Sequence, residues 1–234
     1  RGLQKSRSDI FRPGFSFSSI RLRFRELVPL SLPLTANRVL LGLLQGIEAV
    51  SIPGCLKLYN HSTSEALSTY GVLTGMALPC ILFPSAITNS VSIMLMPTVA
   101  ELQVKDQASG IRKLLQKVLG SCFLMGLFCC LFFLFFGQLI GQFLFASDLA
   151  GNFIITLAWI CPFLYVNGSL LSVLNGFGKT TTSFTINMVG LAIRIGSVFF
   201  AIPVFGIQGY LWGLLISQLA VSICCSVVLK HLIS

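Results

Sequence analysis

The sequence predicts an all-α, polytopic membrane protein, and composition and the spacing of its apolar runs carry that prediction. Of 234 residues, 55% are hydrophobic and only 10% are charged, and the mean hydropathy is +0.88, far from a soluble domain. Six apolar runs lie at about 26–52, 67–97, 118–144, 151–174, 183–204 and 207–229. Each is long enough for the roughly 20 residues that a helix needs to cross the hydrocarbon of a bilayer. We therefore expect residues 26–234 to form a six-helix transmembrane lobe.

Residues 1–25 have a different composition from the rest of the chain. Their only acid is Asp9, and Pro13, Gly14 and several serines interrupt any periodicity. The basic residues are Arg1, Lys5, Arg7, Arg12, Arg21, Arg23 and Arg25. The sequence starts with Arg1 rather than Met and has no apolar signal-peptide core, so we expect it to continue from an upstream segment. The pattern predicts a basic cytoplasmic linker over 1–25.

The charge of the loops predicts the orientation of the helices. If the N-terminus is cytoplasmic, most of the 16 Lys and Arg residues lie on the cytoplasmic side, and the opposite side holds only Lys57. The positive-inside rule then places both termini in the cytoplasm of a multi-pass plasma-membrane protein. Near the outer boundary, an aromatic belt is expected at Tyr59, Tyr70, Tyr210 and Trp212.

The first span combines an apolar surface with four polar residues. Taking Asn37 as 0°, helical geometry places Glu48 near 20°, Gln45 near 80° and Arg38 near 100°. These residues therefore share one quadrant of the helix, and the other faces suit lipid. The quadrant is expected to face a polar partner or a cavity.

Prolines and polar residues mark the second span. Pro79 and Pro84 lie in its interior and predict bends that act as helix hinges. Beside Pro84, the polar residues Ser85, Asn89 and Ser92 fall within about 60° of one another. They predict a second polar face, with helix-packing hydroxyls that contact no ligand as the alternative.

Two arginines are predicted to lie deep in the membrane. Arg194, on the fifth span, follows Asn187 by seven residues on the same helix face. By helical rise, Arg38 and Arg194 each lie about 16–18 Å from the start of their spans. A central arginine costs roughly 2.5–3.5 kcal/mol, so it needs a partner or a wet cavity. The alternatives are an ion pair with Glu48 or snorkelling to the interface. Glu48 is expected about 15 Å further outward than Arg38, as an outer-gate or ion-pair residue.

The segment between the second and third spans, 101–117, has mixed charge and an amphipathic pattern. We expect it to lie along the cytoplasmic surface, where its Lys and Arg side chains would contact anionic lipid.

The remaining motifs argue against nucleotide, nucleic acid and catalysis. Gly178, Lys179 and Thr180 imitate the end of a phosphate-binding loop, but Val173 stands where that motif needs its first glycine, after a helix rather than a strand. Basic residues lie between apolar spans and not on a patch with exposed aromatics, so no nucleic acid is expected. The eight cysteines include no CxxC pair. Both histidines lie outside the spans and Glu48 is the only acid expected to be buried, so we expect no enzyme, no cofactor and no metal site.

Three runs of sequence carry a resemblance to a known family: LPLTANRVLLGLLQGIEAVSIP, YGVLTGMALPCILFPSAITNSVSIMLMPTVAE and LNGFGKT. They resemble the C-terminal half of the stage V sporulation protein B family, within the multidrug/oligosaccharidyl-lipid/polysaccharide exporter superfamily. The resemblance covers nearly the whole chain from about Arg25. It implies two inverted lobes of six helices around a central cavity, with this chain as the second lobe and a missing N-terminal lobe as its partner.

The resemblance also implies alternating-access transport of an anionic lipid-linked oligosaccharide or peptidoglycan precursor, used in spore cortex or envelope polysaccharide synthesis. We expect Arg38 and Arg194 to bind its head group. Contacts to sugar or phosphate are expected from Asn37, Gln45, Asn89 and Asn187. Two alternatives stay open: a cation-coupled multidrug exporter of the same superfamily, and a non-transporting membrane scaffold for envelope assembly.

Overall fold

The computed structural model describes residues 39–59, 62–104 and 108–233, and within these ranges all regular structure is helical. The chain forms two compact units, Arg1–Leu43 and Leu44–Ser234, and the packing given below is that within the second unit. The predicted linker 1–25 and the start of the first predicted span lie outside the described residues.

Eleven helical segments follow one another along the described chain. They are α1 (Val39–Leu58), α2 (Thr63–Val72), a π-helical turn (Leu73–Ala77), α3 (Leu78–Leu82), α4 (Ser85–Val104), α5 (Ala108–Phe145), α6 (Asp148–Ala158), α7 (Cys161–Gly176), α8 (Thr180–Phe200), α9 (Ile202–Phe205) and α10 (Ile207–Ile233).

The described chain contains five candidate membrane spans, or six if one bent helix pair is counted as a span. Five helical stretches are long and apolar enough to cross a bilayer: Val39–Leu58, Thr63–Leu82, Gly110–Phe145, Thr180–Phe200 and Ile207–Leu232. The pair α6 and α7, bent by 55°, gives a sixth. The prediction of an all-α, polytopic membrane protein is therefore confirmed.

The end of α1 differs from its prediction. The apolar run was expected to end at Ile52, yet the helix continues through Pro53 to Leu58. Burial explains the extension, because Ile52, Cys55 and Leu56 are 2%, 7% and 0% exposed. Their spacing puts them on one helix face, and packing of that face outweighs the single backbone donor that the proline lacks.

The second predicted span is interrupted at both of its interior prolines. The π-helical turn ends two residues before Pro79, and the break between α3 and α4 falls at Phe83 and Pro84. A proline inside a helix removes a donor and pushes away the carbonyl four residues earlier, which a π turn or a break accommodates. The interruptions lie where the sequence predicted bends, and the hinge role stays a prediction.

Helix α5 corrects the expectation for the segment 101–117. Residues from Ala108 to Phe145 form one helix of 38 residues, about 57 Å long. Within the described residues, the part expected to lie along the surface is therefore the end of α4 and the first turns of α5. Its apolar residues explain this, since Ile111 and Leu115 are each 5% exposed and pack into the helical core.

Two apolar clusters make up the core, and α7 contributes to both. The first cluster contains Leu56, Phe153, Tyr165 and Ile202. The second contains Leu95, Val173, Leu174 and Cys225. Helix α7 contributes to both clusters because it packs on α4, α5, α8 and α10. All eight cysteines are free, and six of them are buried, as expected for small core residues.

Polar side chains lie between the two clusters along several helices. We call this set the polar layer: Ser92 on α4, Cys122 on α5, Asn167 and Ser169 on α7, and Ser217 and Gln218 on α10. On α7 the layer lies between Tyr165 of the first cluster and Leu170 of the second. Buried polar groups in a membrane protein need partners, so these side chains are expected to bond across helices.

Candidate functional site

Glu48, Arg194 and Tyr210 form a hydrogen-bonded group that we call the ionic cluster. Arg194 Nε donates to Glu48 Oε1 at 2.9 Å. The Tyr210 hydroxyl donates to the same oxygen at 2.9 Å, and Arg194 Nη2 makes a longer contact of 3.4 Å with the Tyr210 hydroxyl oxygen. One carboxylate oxygen therefore joins α1, α8 and α10.

The members of the ionic cluster differ in exposure. The side chains of Glu48 and Arg194 are 3% and 26% exposed, and Tyr210 is 3% exposed. A guanidinium has five N–H groups, and the contacts above engage Nε and one N–H of Nη2. The carboxylate is enclosed by protein, while the guanidinium keeps accessible donors.

Close packing of α8 on α10 brings Arg194 and Tyr210 together. A Cβ at Gly190 would lie 2.6 Å from a methyl group of Val221, so only glycine fits without displacement. The Ser217 hydroxyl donates to the carbonyl of Gly190 at 2.8 Å. Small residues at such contacts let two membrane helices approach.

The depth expected for Glu48 does not hold relative to Arg194. Counting residues placed this carboxylate about 15 Å outward of the arginines, whereas the structure puts it in direct contact with Arg194. The count ignores helix tilt and the length of the arginine side chain, and α8 begins at Thr180, three residues before the predicted start. The ion pair that the sequence left as an alternative is therefore present for Arg194.

Tyr210 was not predicted as a site residue. The sequence placed it in an interfacial aromatic belt, but it is 3% exposed, whereas its neighbour Trp212 is 59% exposed. Tyrosines near the end of a span usually lie at the membrane interface, so the position of Tyr210 in the sequence did not indicate a buried hydrogen-bonding role. The helical spacing of Tyr210, Leu214 and Ser217, all buried, is a signal that could have placed it inside.

The polar layer bonds across helices. Ser92 and Ser169 hydroxyls lie 2.9 Å apart, and Cys122 Sγ lies 3.3 Å from the Ser169 hydroxyl. Asn167 Nδ2 donates to the side-chain oxygen of Gln218 at 2.7 Å and to its backbone carbonyl at 3.0 Å. Asn167 Oδ1 is buried without a partner in the described structure. Asn167 and Gln218 were also missed from the sequence, because the pairing of two amides on different helices is not visible in the spacing along either one.

Two of the predicted substrate residues lie on the helices of the ionic cluster. Gln45 is exposed and lies one turn before Glu48 on α1. Asn187 is half-buried, about 10 Å along α8 from Arg194 by helical rise. Neither shares a hydrogen bond with Arg194 in the described ranges. Gln45 and Asn187 are therefore close to the cluster along their own helices, but no hydrogen bond connects them to Arg194 within the described ranges.

Asn89 lies on a different part of the lobe. It is exposed on α4, and its Oδ1 would be 3.4 Å from a Cβ added at Gly168 of α7. It therefore borders the polar layer rather than the ionic cluster. Asn37 and Arg38, the other two predicted substrate residues, lie outside the described residues.

The described residues offer no obvious place for a metal. Within 39–59, 62–104 and 108–233, no group of three or more His, Cys, Asp and Glu side chains could hold a metal ion. The run LNGFGKT ends α7 and makes the turn into α8, with Gly178 at φ 73° and Lys179 at the start of α8. That positive φ favours glycine.

Sequence comparison identifies relatives among sporulation proteins, although no known protein-family profile matches the chain. Stage V sporulation protein B from Bacillus subtilis (strain 168) is 26% identical over 188 residues, which cover 80% of this chain and 36% of that protein. Sporulation protein YkvU from the same organism is 26% identical over 93 residues, covering 40% of this chain and 21% of that protein. The expected resemblance to the stage V sporulation protein B family is confirmed.

The fold is similar to that of a solved transporter. A MOP superfamily transporter from Pyrococcus furiosus superposes with a TM-score of 0.68 and 16% identity, over 85% of this chain and 43% of that chain. At this identity the likeness shows the fold alone. The chain spans less than half the length of the proteins it matches. Its candidate spans indicate a multi-pass membrane protein, with a fold like that of the transporter.

Proposed function

We propose that this chain is one helical lobe of a membrane transporter that flips an anionic lipid-linked sugar precursor by alternating access. A second, N-terminal lobe of the same protein would complete the central cavity, with both termini of this segment cytoplasmic. The supporting observation is Arg194, which lies deep in the lobe with a 26% exposed side chain while its counter-ion is 3% exposed. Such a guanidinium can keep its place in the fold and still donate to a ligand.

The chemistry of the guanidinium suits a phosphate-containing head group. Arginine binds phosphate through two parallel N–H donors. Glu48 and Tyr210 hold Arg194 through Nε and, at longer range, Nη2, which orients the rest of the group. In this proposal Arg38 supplies the second positive charge, and Asn37, Gln45, Asn89 and Asn187 contact sugar or phosphate. The lipid tail stays in the bilayer, beside the apolar helix surfaces.

The relatives suggest where such a precursor would be used. Both similar proteins from Bacillus subtilis have names that refer to sporulation. We therefore assign the substrate class to precursors of spore cortex peptidoglycan or of another cell-envelope polysaccharide.

A cation-coupled multidrug exporter is the runner-up. Its support is Glu48, the one carboxylate buried within the described spans. That carboxylate already pairs with Arg194 at 2.9 Å, so a cation would have to displace a fixed positive charge. The arrangement thus favours an anionic substrate over a cationic one. A non-transporting scaffold would need neither charge.

Binding of a lipid pyrophosphate to the purified full-length protein tests the proposal. Arg194→Gln and Arg38→Gln should each weaken binding by about tenfold or more, because a hydrogen bond to a charged group is worth roughly 1.5–3 kcal/mol. Glu48→Gln should preserve or strengthen binding, because it removes the competing anion. Lys179→Gln, which removes a charge from the turn before α8, is the matched control and should change nothing.

The opposite effects of the two changes separate a binding role from a structural one. If the ion pair serves only the fold, Glu48→Gln and Arg194→Gln will both lose binding in proportion to the folded protein lost. Complementation of a flippase-deficient strain gives a second measurement. Full complementation by both arginine variants at normal membrane levels would overturn the proposal, and cation-stimulated dye efflux that depends on Glu48 would favour the exporter.

A further inference from the structure

A cavity of about 470 Å³ opens between the first turns of α5 and the last turns of α10. Arg112 and Gln116 from α5, with Ser226 and Lys230 from α10, form its polar edge. Four leucines from α5, α7 and α10 form its wall. It is separate from the ionic cluster, and the proposed transport function does not use it.

The edge of the cavity is cationic. Arg112 and Lys230 are both exposed, and neither makes an ion pair within the part of the chain that the structure describes. The described residues that line the cavity include no acid. Two unneutralised cations at one mouth attract an anion, and Gln116 and Ser226 can add neutral hydrogen bonds.

The cavity lies near the ends of two candidate membrane spans. Arg112 comes two residues after Gly110, where the candidate span of α5 begins, and 33 residues before its end at Phe145, or about 50 Å by helical rise. The hydrocarbon of a bilayer is only about 30 Å thick. Lys230 comes two residues before the end of the α10 span at Leu232. Both cations therefore lie near the ends of candidate spans, outside the roughly 30 Å of each span that hydrocarbon can cover, with the leucine wall beside them.

We propose that this cavity binds an anionic phospholipid of the surrounding bilayer. Its phosphate lies between Arg112 and Lys230, and the upper part of an acyl chain lies along the leucines. A soluble phosphate would use only the polar edge and leave the apolar wall in water, whereas a phospholipid covers both. Basic pockets between membrane helices suit anionic head groups for the same reason.

Such a lipid would connect α5 and α10, two helices that are far apart in the sequence. Leu170 of α7 lines the cavity behind α5 and α10, so a lipid seated there contacts three helices. A ligand that binds only the folded state raises its stability. Anionic phospholipid should therefore raise the thermal stability of the full chain more than a zwitterionic lipid does.

Lipid binding to the full chain in neutral detergent tests the inference, with phosphatidylglycerol and phosphatidylcholine as probes and native mass spectrometry as the measurement. The double change Arg112→Gln and Lys230→Gln should weaken phosphatidylglycerol binding by about twentyfold, because each basic residue near a membrane surface contributes about a factor of five. The matched control, Lys113→Gln with Lys179→Gln, removes the same charge from exposed positions outside the cavity. It should leave binding unchanged.

A steric change separates lipid from a soluble anion. Leu119→Trp narrows the leucine wall and keeps both cations, and it should also weaken phosphatidylglycerol binding. Equal losses in the charge variant and its control would overturn the inference, since binding would then follow net charge alone. Competition by glycerol phosphate at the same concentration as the lipid would also overturn it, because the wall would then contribute nothing. An unchanged circular dichroism spectrum verifies that each variant is folded.

Discussion

Glu48 and Arg194 differ in how well water can replace the partner that each would lose. The carboxylate is 3% exposed and the guanidinium 26% exposed. A charge left unpaired inside a protein is costly, whereas one that reaches water or lipid head groups recovers part of its solvation. The two single substitutions in this ion pair should therefore have unequal effects on stability.

We expect Arg194→Gln to destabilise the protein more than Glu48→Gln does. Loss of the arginine leaves Glu48 with Tyr210 as its remaining hydrogen-bond donor among the described residues, at a cost of about 3–5 kcal/mol. Loss of the glutamate leaves a guanidinium that is 26% exposed and still contacts the Tyr210 hydroxyl at 3.4 Å. The double variant should be more stable than Arg194→Gln alone. Unfolding of the purified chain in detergent measures all three, and equal losses in both single variants would contradict the argument.

At the scale of the helices, α5 approaches the start of α7 closely at Gly126. A Cβ at Gly126 would lie 2.6 Å from Pro162 Cα and 3.0 Å from the carbonyl oxygen of Cys161. Both atoms belong to the backbone at the start of α7, just after the bend from α6. Backbone cannot move aside as a side chain can, so this contact fixes how closely the two helices pack.

Gly126→Ala should therefore destabilise the protein by about 1–3 kcal/mol, as overpacking does. Gly120, on the same helix, has nothing within 4 Å of the added carbon. Gly120→Ala should be neutral or stabilising by up to about 1 kcal/mol, because alanine favours a helix. Thermal unfolding of both variants tests this prediction. Similar melting temperatures for the two would show that the contact at Gly126 does not limit how closely the helices pack.

The interruptions in the second span are expected to act as hinges, and this role can be tested. The π turn before Pro79 and the break at Pro84 make this the most irregular span in the described structure. Pro79→Ala restores a backbone donor, and should raise stability by about 1 kcal/mol while lowering the rate of transport, because a stiffer helix bends less. Pro97→Ala, inside the unbroken α4, is the control and should leave transport unchanged. Normal transport by the Pro79 variant would show that Pro79 does not act as a hinge.

At the scale of the whole molecule, hydropathy was enough to predict the spans, because lipid-facing helices need long apolar surfaces whatever they pack against. The predicted helix boundaries differ from the structure where burial of neighbouring side chains extends a helix, as at Ile52 in α1 and at Ile111 in α5. The site was predicted in part. Because charged residues are rare deep in apolar spans, Glu48 and Arg194 could be identified as candidates. Their pairing depends on helix tilt, about which the periodicity of the sequence carries no information. Asn167 and Gln218 lacked any signal for the same reason.

The orientation of the helices remains a prediction from the loop charges. Lys57, near the end of α1, and Lys179, at the start of α8, are both exposed and are expected on opposite sides of the membrane. With Lys57→Cys, a membrane-impermeant maleimide should label intact cells. With Lys179→Cys, labelling should require permeabilised cells. The eight native cysteines are buried or half-buried, which limits background labelling, and the reverse pattern would invert the topology.

The ion pair also has an electrical consequence. A unit charge moved across a membrane at 100 mV gains or loses about 2.3 kcal/mol. Glu48 and Arg194 are opposite charges 2.9 Å apart, so together they displace almost no net charge when α1 and α8 move. This pair therefore contributes almost nothing to any voltage dependence of the empty lobe. A bound anionic head group would add net charge to the moving part, and it would then contribute to the voltage dependence of the loaded movement.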